Sequence, residues 1–110
     1  MKIREVTPAS QASAKNILEA LGWKRVLFNQ VEIAHPAIDW FSLILALDRI
    51  FLATGGAMGQ AAFLRTPVAA EGDRLPAEVL LDANGPERFC QVAHRYAAAA
   101  TQRKRIDKNG

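Results

Sequence analysis

The segment from Pro36 to Thr54, PAIDWFSLILALDRIFLAT, constrains the fold more than any other stretch of this chain. At about 100° per residue, a helix over it gathers Asp39, Ser42, Ala46, Arg49 and Ala53 on one stripe about 80° wide, and every other side is apolar. A helix with so little wettable surface is unstable with most of its girth in water. The pattern therefore predicts a central helix over residues 36–54, either surrounded by its neighbours or lending one side to another protein. Asp48 breaks the pattern, because it projects between Ile44 and Phe41 or Leu52, inside the apolar arc. A carboxylate there has to be paired, neutralised, or turned toward a cavity or a partner.

The rest of the chain reads as shorter helices packed around that one. With 110 residues there is room for one core, and a composition 50% hydrophobic and 23% charged is that of a chain that folds. Residues 1–105 are assigned to a single helical domain and 106–110 to a flexible basic tail. Abundant alanine favours helix throughout, since it loses no side-chain entropy there. Thr7 can cap a first helix, Pro8 suits its first position and Gly22 supplies its stop, with Ala14, Ile17, Leu18 and Leu21 as the packed stripe. Ile3 and Val6 precede it and could form a short strand. Residues 23–35 fit two periods: Trp23, Val26, Leu27, Val31 and Ala34 recur at helical spacing, whereas Val26 and Phe28 alternate as in a strand pair turning near Asn29. Helix is the reading preferred.

Beyond the central helix, GGAMGQ interrupts the chain, MGQAAFLR forms a short helix, and TPVAAEGDRLP reads as a loop with freedom to move. LPAEVLLDANG gives one or two helical turns, and Asn84 with Glu87 three residues on starts the last helix. Its packing side carries Phe89, Val92, Ala93, Tyr96 and Ala100, opposite Arg88, Gln91, Arg95, Gln102 and Arg105. The predicted class is mainly α, four to six helices around residues 36–54, with α+β as the alternative if an N-terminal strand or a β-hairpin forms.

Several function classes recede on composition. A single cysteine, Cys90, rules out an internal disulfide framework, and the first residues carry no secretory pattern, so a cytoplasmic setting is expected. The apolar run is broken by Asp39, Asp48 and Arg49 and falls short of the ~20 residues of a membrane span. Gly55, Gly56 and Gly59 follow a helix rather than a strand and lack dinucleotide-binding spacing. Cys90 and His94 are one turn apart, a spacing compatible with a nucleophile or a zinc ligand pair. His35 is the only other histidine and no second cysteine exists to complete four ligands. No catalytic residue, metal or cofactor is inferred.

Two surfaces remain. The net charge of +3 is concentrated at the end of the chain, where Arg88, Arg95, Arg103, Lys104, Arg105 and Lys108 face only Asp107. Arg88, Arg95, Arg103, Lys104 and Arg105 could follow a phosphate backbone, though cations also gather at helix C-termini because the dipole favours them there. Trp23 beside Lys24 and Arg25 could stack a base, or pack as a core residue. The leading expectation is a small non-enzymatic interaction module, a subunit, adaptor or inhibitor. It shares an apolar helix face with a protein partner or a second copy, through Trp40, Ile44, Asp48 and Phe51. Nucleic-acid binding by the cationic end is the alternative, and a cysteine-dependent enzyme the third.

Overall fold

The computed structural model describes residues 8–109, with side chains over 9–103. The fold is mainly α: six α-helices and, among the described residues, no strand. They are α1 (Pro8–Ala20), α2 (Arg25–Ala34), α3 (Trp40–Thr54), α4 (Ala57–Leu64), α5 (Pro76–Leu80) and α6 (Gly85–Asn109), with a 3₁₀ turn at Ala69–Glu71. The proposed Thr7 cap and the Ile3–Val6 strand lie outside the described residues.

In α1, Ala14 and Leu18 are fully buried while Ile17 is nearly half exposed, so the packed face is narrower than the spacing predicts. The ambiguous segment is helical, and α2 buries Phe28 and Val31. Trp23 packs edge-on against Phe89 at 5.7 Å, a core position with no face left for a base.

The central helix begins at Trp40, four residues later than predicted. Asp39 is its N-cap: the side chain accepts the Phe41 N–H at 3.1 Å. Gln11 of α1 completes the cap, accepting the Trp40 N–H at 2.6 Å and donating to Asp39 Oδ1 at 2.8 Å. A capping aspartate holds its own backbone extended, so the helix cannot run back to Pro36. The predicted polar stripe also needs correction, because Ala46 is only 4% exposed. Ser42 and Ala53 border α6, against which α3 makes its most extensive contact, and Ala46 lies on the same side of α3 between them. Small residues let two helices approach closely, and a hydropathy projection that groups them with polar residues assigns that side to water. The face that α3 gives to solvent carries Leu45, Asp48, Arg49, Phe51 and Leu52.

Trp40, Leu43, Ile44, Leu47 and Ile50 fill the core from α3. Trp40 lies edge-on to Phe28 at 5.3 Å and donates its Nε1–H to Glu32 at 3.1 Å. Lys15 bonds the same oxygen at 2.9 Å, so Glu32 ties α1, α2 and α3 together. The Lys15 ammonium, aided by the indole, holds the Glu32 carboxyl below its ordinary range. Gly55 (φ +84°) ends α3 in the left-handed conformation, and the chain turns by 118° into α4. There Gln60 is buried and donates to the Leu47 carbonyl at 3.0 Å, while Phe63 packs on Phe89 and Tyr96 at 5.9 and 5.1 Å. His35 Nε2 donates to the Leu80 carbonyl at 3.0 Å, fixing the α2–α3 connection to α5. The backbone of α6 is helical to Asn109.

Candidate functional site

The outward face of α3 follows from its register. Residues 45, 48, 49 and 52 occupy successive turns of one side at spacings of three and four, and the other sides are taken by α1, α4 and α6. Leu45 is 47% exposed, Phe51 44% and Leu52 78%, and Met58, in the first turn of α4, is 88% exposed. Single exposed apolar residues are commonplace, and Val26 and Ile33 of α2 are open as well; Leu45, Phe51 and Leu52 are three on one helix. Asp48 and Arg49 lie between the leucines, both exposed and neither ion-paired among the described residues. Asp48 thus needs no internal partner.

Of the residues the sequence singled out, Asp48 and Phe51 are on this face. Trp40 and Ile44 are core residues, 1% and 7% exposed. Leu45 and Leu52 were not singled out, because the projected arc treats all its apolar positions alike. Nothing local in the sequence separates them from the buried leucines of the same helix, and Leu52 and Arg49 border α6 beside Ala53, across from His94, Ala97 and Thr101.

A second arrangement is electrostatic. The segment after α4, expected to be free to move, is pinned by four charges. Arg74 makes a two-pronged pair with Asp82 at 2.7 and 2.8 Å, and its Nε–H donates to the Glu71 carbonyl. The Glu71 side chain, almost wholly buried, also takes Arg88 at 3.0 Å. Arg88, one of the proposed phosphate contacts, is therefore engaged within the fold. Arg95 and Arg103 are exposed, while the side chains of Lys104 and Arg105 lie outside the described residues. The Arg74 guanidinium holds the Asp82 carboxyl below its ordinary range and is itself raised by that contact. A depressed carboxylate stabilises the fold fully above its unfolded pKa and loses that contribution as pH falls through the folded value. Amide exchange at Val68, Asp73 and Arg74 is thus expected to accelerate on acidification below the ordinary aspartate range, beyond the intrinsic pH dependence of exchange. In Asp82→Asn the same amides should exchange faster already at neutral pH, and protection equal to wild type there would contradict the lock.

Cys90 and His94 do share one side of α6. The thiol is half-buried, 3.9 Å from the Ser42 carbonyl, and burial pushes its pKa up, the reverse of the shift that activates a cysteine. Among the described residues no group of three His, Cys, Asp or Glu side chains could hold a metal ion. No single described helix is long and apolar enough to cross a membrane. Comparison with known proteins returns no matching family model, no matching curated protein and no matching solved structure.

Proposed function

We propose that the chain is a small, non-enzymatic interaction module of the cytoplasm whose docking face is the outward side of α3. The observation that carries this reading is Leu52, 78% exposed on the central helix, whose buried apolar residues fill the core. Leu45 and Phe51 extend the surface, and Asp48 with Arg49 supplies one charge of each sign. A second copy is the simplest occupant, because in a two-fold interface each residue is used twice: Asp48 of one chain meets Arg49 of the other, and the reverse.

Sedimentation equilibrium tests this. Wild type is expected to dimerise, and Leu52→Glu to weaken association by roughly 100-fold, from lost apolar burial and an unpaired carboxylate in the contact. The position is exposed, so folding stability should stay within about 0.5 kcal/mol. If wild type remains monomeric at about 100 µM, well above the range of specific association, the second copy is rejected and the occupant is a different protein. Affinity capture with wild type and Leu52→Glu as paired baits then decides: identical captured sets would reject the α3 face altogether.

A further inference from the structure

A different surface, independent of the α3 face, holds a formed groove. It lies between the segment after α4 and the middle of α6, has a volume of about 270 Å³, and its walls include Phe63, Val68, Ala70, Val92, Arg95 and Tyr96. Val92, Arg95 and Tyr96 stand at i, i+3 and i+4 on α6, so one helix face supplies the floor. The opposite wall is fixed: the Val68 N–H bonds the Arg74 carbonyl at 2.8 Å, and the pairing of Glu71 with Arg74 and Arg88 holds the turn behind it. A wall held in this way need not be ordered when a ligand enters, which favours affinity.

The charges along the groove are selective. Arg95 is the only charged residue on its wall, it is exposed, and it has no ion-pair partner among the described residues. Arg74 and Arg88, by contrast, are neutralised by Asp82 and Glu71. The Tyr96 ring packs against Phe63, and its hydroxyl makes no hydrogen bond among the described residues. An apolar hollow with one unanswered cation on its wall fits a ligand with an apolar body and a single negative charge.

We propose that this groove binds a small organic carboxylate, its apolar tail against Phe63, Val68 and Val92 and its carboxylate paired with the Arg95 guanidinium, with the Tyr96 hydroxyl as a second donor.

The experiment is a titration of the full-length protein with octanoate, followed by methyl and amide NMR shifts, with octanol and octylammonium as matched controls. Saturable shifts centred on Val68, Val92 and Tyr96 are expected at about millimolar or tighter affinity, with both controls weaker by roughly tenfold. Arg95→Gln should weaken octanoate about tenfold and leave octanol unchanged. Ala70→Trp, at an exposed position whose indole would fill the hollow, should abolish octanoate shifts in a folded protein, and Arg103→Gln should change nothing. The proposal is overturned by the absence of saturation up to about 10 mM, by octanol binding as well as octanoate, by shifts centred elsewhere, or by an Arg95→Gln variant that binds like wild type.

Discussion

Trp40→Ala is expected to lower the free energy of unfolding by about 4 kcal/mol, the range for removing a fully buried tryptophan from a core that only partly collapses. In a domain of this size that displaces the melting temperature by roughly 15 °C or more. The indole is in the core through its ring and in a polar network through its nitrogen, lying on Phe28 and bonding Glu32. Trp40→Phe separates the two roles. It keeps most of the apolar volume and loses the bond to a partly exposed carboxylate, so about 1 kcal/mol of cost is expected beyond minor repacking. Chemical denaturation of the two variants checks the split. Equal losses would mean that the Glu32 hub rather than core filling dominates at this position, and a loss below about 1 kcal/mol for Trp40→Ala would contradict its placement in the core.

Gly85→Ala is expected to be unusually costly for a single added methyl. Alanine ordinarily stabilises a helix relative to glycine by roughly 0.5–1 kcal/mol. At the start of α6, however, an added Cβ would be driven into the Leu80 carbonyl and close to that of Val79. Backbone cannot swing aside as a long side chain can, so α5 and α6 would have to separate. We expect destabilisation of about 2–3 kcal/mol, in the range of overpacked sites. Gly56→Ala is the matched control: its backbone is extended and nothing lies within 4 Å of the new methyl. That variant should remain within about 0.5 kcal/mol of wild type. If both substitutions behave alike, the close approach of α5 to α6 is not as described.

Much of this architecture is legible in the chain because its signals are local. Pro8 and Gly22 bracket α1, the glycines after Thr54 end α3, and the Phe89–Val92–Ala93 spacing marks the packed side of α6. What was misread depends on partners distant in sequence. The cap at Asp39 is completed by Gln11, 28 residues earlier, and without that knowledge Asp39 reads as another residue of a polar stripe. The orientation of α3 depends on which side α6 takes, and Ala46 is equally at ease in water or in a close helix contact. Glu71 and Arg88 are 17 residues apart, so a segment rich in proline, glycine and charge reads as free when it is tied down. The same distance effect governs the candidate surfaces. Trp40 and Phe51 are alike as large aromatics on an apolar helix, yet one is enclosed by α1 and α2 and the other is open.

The claim that α3 lends its outward side to another protein molecule is tested most directly by methyl and amide NMR over a concentration series. Progressive shifts and broadening are expected at Leu45, Asp48, Arg49, Phe51, Leu52 and Met58, with Arg103 and the groove at Val68 unchanged, and these changes should disappear in Leu52→Glu. Concentration-dependent shifts centred elsewhere, or persisting unchanged in Leu52→Glu, would contradict it. Spectra that do not change with concentration would reject the second copy, and the claim would then fail if added partner captured by wild type shifted residues other than these.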